Sequence, residues 1–213
     1  MDRQSIVDEM ERARDDFHRL VDTATTAELH RQSNGTKWTN DQLLFHMLFG
    51  YLIVRTLLIL VRTLARAPRG VSRQCAAVLN SAAAPFHVVN YVGSLGGARV
   101  LGHPGMNKAF DLVVAHLVAS LEKDPDSQLR RGMHFPMGWD PYFQEYMTIE
   151  DLYHYATRHY DHHRRQLTLA ATAASCSFAP QRPARRSPDR RRRDAQGPVE
   201  RHDGRPTVVG WRH

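Results

Sequence analysis

The chain contains little cysteine. Cys75 and Cys176 are the only two among 213 residues, and they lie far apart in different contexts. Two such residues provide no disulfide framework, so a reducing cytoplasm is the expected compartment. The first ten residues, MDRQSIVDEM, are too acidic and polar for a secretory signal peptide, which agrees with a cytoplasmic protein.

The sequence also lacks a nucleotide-binding loop. The glycine-rich segment GSLGGA at 93–98 follows no strand pattern, and no lysine comes after it at phosphate-loop spacing. We therefore interpret these glycines as a small-residue contact or a turn.

Net charge is almost absent from the part of the chain that is expected to fold. The total is +7, but ten of the 29 Lys and Arg residues and only four of the 22 acidic ones lie within 180–213. Residues 175–213 are rich in Pro, Arg, Ser, Asp and Gly without periodicity, which predicts a disordered tail after a domain at 1–174. No aromatic residues interrupt the arginine run, so a solvated tail is favoured over a nucleic-acid-binding arm.

Apolar spacing predicts an all-α protein. Helical stripes indicate long helices at 5–24, 40–67, 106–123 and 148–169, and a short helix at 71–83. Between the last two long helices, RGMHFPMGWDPYF at 131–143 is rich in aromatic residues. We expect this loop to pack across the end of a bundle, either as a pocket wall or as a purely structural lid.

The helix at 40–67 is apolar on nearly every side from Leu43 to Val61. About 20 apolar residues are enough to cross a membrane, so a transmembrane span is an alternative. His46 and Arg55 argue against it, because a charged residue near the centre of a span costs about 2.5–3.5 kcal/mol. The centre of a helical bundle requires a helix of this kind, and no membrane association is expected.

The segment at 148–169 carries the most informative pattern. Thr148 and Asp151 form a capping-box-like start. One stripe of the predicted helix holds Leu152, Tyr155, His159, His163 and Gln166. Two His residues one turn apart can bind one metal ion, although 13 His residues in this chain would give about one such pair by chance. His154 and His162 lie off the stripe and are interpreted as surface residues.

His46 shares a stripe of the second long helix with Leu43, Met47 and Val54. A lone His on an apolar face is more often a satisfied core residue than a ligand, and the sequence leaves both roles open. Gly50, one turn further on, leaves room for a neighbouring helix or a ligand.

Three segments together resemble a known family. They are WTNDQLLFHMLFGYLIVR at 38–55, MHFPMGWDPYF at 133–143 and YHYATRHYDHHRRQL at 153–167. On these motifs, residues 5–169 resemble the DinB-like superfamily of metal-binding four-helix bundles. The resemblance implies a four-helix bundle in which His46, His159 and His163 bind one metal ion. Tyr155 and Gln166, each one turn from a ligand, are the candidates for supporting these imidazoles.

The implied ligand set points to a class of chemistry. Three neutral imidazoles suit Zn²⁺ first, with Ni²⁺, Fe²⁺ and Mn²⁺ as alternatives, and they leave positions open for water or a substrate. Relatives of this kind include transferases and isomerases that use mycothiol, bacillithiol or glutathione. The resemblance therefore implies a metal-dependent thiol S-transferase or a related hydrolase acting on a small molecule.

Two other functions remain open at this point. One is a non-catalytic metal- or ligand-binding stress protein, and the other is a nucleic-acid-associated protein that uses the Arg-rich tail. Dimerisation through an apolar helix face is compatible with such a bundle, and the sequence does not identify the face.

Overall fold

The structure is a computed structural model and describes residues 2–170 of the chain. This part is mostly helical and contains one short antiparallel hairpin. The elements in chain order are α1 Arg3–Thr23, α2 Thr26–Leu29, α3 Asn40–Leu64, α4 Arg69–Ser81, α5 Ala83–Lys123, α6 Asp126–Leu129, β1 Gly132–His134, β2 Tyr146–Thr148 and α7 Ile149–Arg164.

The four long helices α1, α3, α5 and α7 form a bundle, as expected. Both α1 and α3 pack against α5 and α7, so the order around the bundle is α1, α5, α3, α7. The predicted stripe of α1 is completely buried, and it consists of Ile6, Met10, Ala13, Phe17 and Leu20. Phe17 stacks on Phe110 of α5 with the ring centroids 4.4 Å apart. Sequence periodicity therefore identified the core face of α1 correctly, although the helix begins at Arg3, two residues before the predicted start, with Asp2 as its N-cap.

Capping boxes fix the starts of the two helices that carry the candidate ligands. In α3 the Thr39 hydroxyl accepts from the Gln42 N–H, while the Gln42 side chain accepts from the Thr39 N–H. Thr148 and Asp151 form the same reciprocal pair at the start of α7. The box at Thr148 was predicted above, and each of the two boxes satisfies two backbone donors that a helix start leaves free.

The apolar helix α3 is long and hydrophobic enough to span a membrane by length and composition. In the described part of the chain, 61% of its most apolar window is buried against the other elements. The apolar surface of α3 is thus largely accounted for by packing inside the bundle.

The end of α7 differs from the prediction. The helix stops at Arg164 rather than continuing to residue 169. Beyond it, the Thr168 N–H donates to Asn40 Oδ1 at 3.0 Å, and Asn40 Nδ2 donates to the Thr168 hydroxyl at 2.9 Å. These bonds tie the segment after α7 to the start of α3 and replace the hydrogen bonds of a continuing helix.

The segment with the weakest sequence signal, 86–100, is helical and belongs to α5. Its two halves meet at Gly102, whose φ of 59° lies in the region that favours glycine. Pro104 then stands in the first turn of the second half, where its missing N–H costs no helical bond. Gly97 accommodates the Phe45 ring of α3, since a Cβ atom there would overlap that ring. Of the two interpretations given for GSLGGA, a small-residue contact is confirmed at Gly97, whereas an added Cβ on Gly93 or Gly96 meets nothing within 4 Å and the segment is not a turn.

The aromatic loop packs on the bundle, and its flanks pair as a hairpin that periodicity missed. Met133 lies opposite Met147 in the β1–β2 pair, and each strand has only three residues, too few for an alternating pattern. Inside the loop, the Trp139 indole N–H donates to the Leu79 carbonyl at 2.7 Å, and its ring stacks on Phe86 at 4.0 Å. The loop is thereby held against α4 and α5.

The predicted basic tail and the domain boundary near residue 174 lie outside the described residues. Both stay predictions.

Candidate metal centre

Three histidines from two helices meet inside the bundle. His46 comes from α3, and His159 and His163 come from α7. Each offers one ring nitrogen, and these three atoms lie within 4.8 Å of one another. His46 and His159 are buried, each with 4% of its surface exposed, and His163 is half-buried. The structure therefore brings together the three residues that the family motif selected, which periodicity alone could not have paired.

Gly50 allows α7 to approach α3 at this level. A Cβ atom on Gly50 would lie 2.8 Å from Cε1 of His159, and still closer to Nδ1 of the same ring. The space that the sequence pattern assigned to a neighbouring helix or ligand is taken by the imidazole of His159.

Hydrogen bonds on the outer nitrogens orient two of the rings. The hydroxyl of Ser94 donates to the carbonyl of Asn90 at 2.9 Å, so it can only accept from Nδ1–H of His46, which lies 3.3 Å away. Gln166 Oε1 accepts from Nδ1–H of His163 at 2.7 Å. Both protons then reside on Nδ1, and both Nε2 atoms carry lone pairs.

These two lone pairs face each other. The Nε2 atoms of His46 and His163 are 3.1 Å apart. Two unprotonated nitrogens at this distance repel unless a cation lies between them. Nitrogens bound at about 2.0–2.1 Å to a tetrahedral zinc are separated by about 3.3 Å. The residues present therefore fit a bound metal ion.

His159 is the third member, and no hydrogen bond within residues 2–170 holds its ring. Its Nδ1 is buried without a hydrogen-bond partner, and its Nε2 lies 3.7 Å from Oδ2 of Asp140. This distance is too long for a hydrogen bond, so the lone pair of Nε2 is available to a metal ion.

Burial keeps the three imidazoles neutral. It lowers the pKa of His159 to about 3, with a further contribution from His162. Burial also holds the pKa of His46 and of His163 well below the ordinary value, and the neighbouring imidazoles add to this effect. Neutral imidazole is the form that binds a metal, so the cluster does not need to lose protons first.

A small pocket with a cavity volume of about 30 Å³ adjoins the cluster and is partly open to solvent. His46, Gly50 and His159 line it on one side. Its other walls are mainly aromatic and apolar, and they consist of Phe49, Ile53, Phe86, Asn90, Trp139, Asp140, Phe143 and Tyr155. The prediction that the aromatic loop forms a pocket wall is confirmed, because Trp139, Asp140 and Phe143 all come from it.

The other predicted residues occupy distinct positions. Tyr155 is buried next to the cluster, with its ring centroid 5.8 Å from that of His159. His162 points away from the cluster, where its Nδ1 lies 2.9 Å from the hydroxyl of Tyr142. His154 pairs with Glu9 of α1 at 3.0 Å. His162 and His154 are thus hydrogen-bonded residues outside the site, as interpreted.

Three residues of the site carried no sequence signal. Trp38 stacks on His46 with the ring centroids 4.4 Å apart, Ser94 supports the same ring, and Asp140 faces the pocket. Trp38 and Asp140 lie within the motifs 38–55 and 133–143 that carry the resemblance, so those motifs were the one available pointer to them. Ser94 lies in the glycine-rich segment, which offered no functional pattern.

The comparisons with known proteins agree with this geometry. The family model described as DinB superfamily matches residues 9–167. The chain belongs to the DinB superfamily. The matched range contains most of α1, all of α3, α5 and α7, and the three histidines, and it stops before the basic tail. No curated protein and no solved structure was matched by the same chain.

Proposed function

We propose that this DinB superfamily member is a metal-dependent enzyme that transfers a group to or from a small thiol, or hydrolyses a related substrate. The proposal rests on one observation, which is the convergence of three neutral imidazoles beside a pocket. His46, His159 and His163 would hold one divalent metal ion, with Zn²⁺ favoured by three nitrogen donors. When bound, the metal would act as a Lewis acid that lowers the pKa of a coordinated thiol or water.

The supporting residues are arranged for such a role. Ser94 and Gln166 fix the tautomers of His46 and His163, so the metal-facing lone pairs are prepared in advance. Among the described residues, no cysteine belongs to the cluster. Three imidazoles therefore leave positions for a substrate, whereas a closed structural zinc site is four-coordinate.

The pocket walls support a small-molecule substrate. Phe49, Phe143 and Trp139 present apolar surface to the site and exclude water from it. Asn90, Asp140 and Tyr155 are the polar groups in this wall. An apolar pocket with a few polar groups next to a reactive centre is the usual form of an enzyme site.

Metal analysis is the first test of the proposal. Protein without a His-tag is compared with the variants His46→Ala and His159→Ala by elemental analysis. His116→Ala serves as the control, because His116 is exposed on α5 and lies outside the cluster. Near-stoichiometric metal in the wild type and the control, lost in both cluster variants, is the expected result. Wild-type protein that takes up no Zn²⁺, Ni²⁺ or Mn²⁺ after reconstitution would exclude the proposed enzyme.

Turnover is the second test, and it separates an enzyme from a binding protein. The metal-loaded protein is incubated with mycothiol, bacillithiol or glutathione and a panel of small electrophiles. We expect thiol consumption that depends on His46. Stoichiometric metal without turnover on any pair would instead favour the non-catalytic binding protein, whose support is the same cluster and the small size of the pocket.

The nucleic-acid alternative depends on the tail, which lies outside the described residues. It predicts salt-sensitive DNA binding that is lost when the chain is cut after Ala174.

A further inference from the structure

Asp140 is a carboxylate in an unusual position. Its side chain is 14% exposed, and it belongs to the wall of the pocket beside the histidines. Within residues 2–170, it forms no ion pair with Lys or Arg, and it pairs with the imidazole of His159 at 3.7 Å. An anion in such a place is costly unless a positive charge compensates it.

The contacts of Asp140 do not provide that charge. Its Oδ1 accepts from the backbone N–H of Tyr142 at 2.8 Å, and the neutral hydroxyl of Tyr155 interacts with the same carboxylate. A histidine that offers a lone pair to a metal is also neutral. All the groups around the carboxylate are then uncharged.

The loop holds the carboxylate firmly in place. The Gly138 N–H donates to Asn80 Oδ1 at 2.8 Å. The Gly138 carbonyl accepts from His87 Nε2 at 3.0 Å. Trp139, directly before Asp140, is fixed by its bond to Leu79 and its stacking on Phe86. These contacts tie the loop to both α4 and α5. Asp140 is therefore presented to the site by a packed framework.

We propose that Asp140 is the fourth protein ligand of this centre, binding through Oδ2 next to His159. The inference rests on the proposed metal site. It adds one anionic oxygen donor to the three neutral nitrogen donors. Neighbouring ligands on a metal with bonds of about 2.0–2.2 Å lie about 3.0–3.4 Å apart. Oδ2 lies 3.7 Å from Nε2 of His159, close to this separation. Asp140 is not one of the residues whose ligand atoms all lie within 4.8 Å of one another, so its side chain has to move towards His46 and His163 to bind the same ion.

An anionic oxygen ligand changes which metals the site prefers. Imidazole suits Zn²⁺, Ni²⁺ and Fe²⁺, whereas carboxylate suits Mn²⁺. With four protein ligands, a tetrahedral Zn²⁺ would have no open position. A six-coordinate ion such as Mn²⁺ or Fe²⁺ still has two positions for substrates, so with Asp140 bound the proposed enzyme would use these ions. Loss of the carboxylate should therefore weaken Mn²⁺ binding more than Zn²⁺ binding.

The experiment compares tag-free wild type, Asp140→Asn and Asp140→Ala. Asp161→Asn is the matched control, because Asp161 pairs with Arg12 on the surface at 2.9 Å. Each protein is loaded with Co²⁺ for its visible absorption spectrum, which reports the coordination sphere, and is titrated with Mn²⁺ and Zn²⁺. We expect changed Co²⁺ bands in both Asp140 variants, and a loss of Mn²⁺ affinity at least tenfold greater than the loss of Zn²⁺ affinity. The control should match the wild type.

Affinity alone does not decide the question, because residues that only orient a ligand also change metal affinity by about 10–100-fold. Co²⁺ bands identical to those of the wild type in both Asp140 variants would overturn direct ligation while leaving the three-histidine site intact. A wild type that binds none of these ions would refute the proposed function itself. Circular dichroism checks the folding of each variant, and if Asp140→Ala unfolds, the isosteric Asp140→Asn decides.

Discussion

The imidazole of His159 fills the space between α3 and α7 that a side chain at position 50 would take. A methyl group on Gly50 would meet the Nδ1–Cε1 edge of the imidazole, with Cε1 only 2.8 Å from the added carbon. The ring cannot retreat freely because it is buried. The close approach of the two helices that carry the histidines therefore depends on a residue without a side chain.

Gly50→Ala should displace the His159 ring and weaken metal binding by at least tenfold. Calorimetric titration with Zn²⁺ measures the change. Gly96→Ala is the control, since Gly96 is also helical and an added Cβ there meets nothing within 4 Å. We expect unchanged metal affinity in the control and a gain in unfolding free energy of about 0.5–1 kcal/mol. A Zn²⁺ affinity of Gly50→Ala equal to that of the wild type would show that the His159 imidazole can shift without losing the metal, which would contradict this prediction.

Gln166→Ala should lower metal affinity by about 10–100-fold, because His163 loses the acceptor that fixes its tautomer. Gln166→Glu retains an acceptor and should recover most of this loss. Titration of the purified variants with Zn²⁺ gives both values. Gln4→Ala, on the exposed side of α1, is expected to bind as the wild type does. Equal affinities for Gln166→Ala and Gln166→Glu would contradict the orienting role.

The pair Asp16–Arg164 should make stability depend on pH. Burial alone would raise the pKa of Asp16, but hydrogen bonds from Arg164, Arg19 and Tyr160 outweigh it and lower the pKa. A carboxylate whose pKa is lower in the folded state contributes stability above its unfolded pKa near 3.8, and this contribution is lost as the pH falls through the folded value.

Asp16→Asn should therefore destabilise the fold by about 1–3 kcal/mol at pH 7, as expected when a partly exposed carboxylate loses its hydrogen bonds to charged groups. Urea unfolding measures the difference, which should shrink once the pH falls below 3.8. Asp15→Asn is the control, because the Asp15 side chain is 73% exposed and its effect should stay within about 0.5 kcal/mol. A pH-independent difference for Asp16→Asn would mean that packing, and not charge, is responsible.

Removing the metal should lower the melting temperature. A ligand present at about 100 times its dissociation constant stabilises the native state by about 2.7 kcal/mol, which corresponds to about 5–10 °C for a domain of this size. Differential scanning calorimetry with Zn²⁺ and with a chelator gives the shift. His46→Ala should melt at one temperature under both conditions, and a shift of wild-type size in this variant would place the stabilising ion elsewhere.

Local patterns predicted the framework of the site but not its full lining. The boxes at Thr39 and Thr148 and the apolar stripes are short-range features, so the starts and inner faces of the helices could be read from neighbouring residues. The family motif was needed to add His46 to the pair on α7. Ser94 and Asp140 reach the site through a broken helix and a loop, whose paths are set by distant contacts such as Trp139 with Leu79. The early end of α7 has the same cause, because Asn40 captures Thr168.

The wide separation of the ligands along the chain affects how the protein is made. His46 leaves the ribosome 117 residues ahead of His163. At a synthesis rate of about 5–20 residues per second, the first imidazole waits roughly 6 to 23 s for the last one. A growing chain therefore carries a single isolated donor for most of its synthesis. The complete set of three donors exists only once α7 has been made, so on the proposed metal site fragments that lack α7 would lack two of the three ligands.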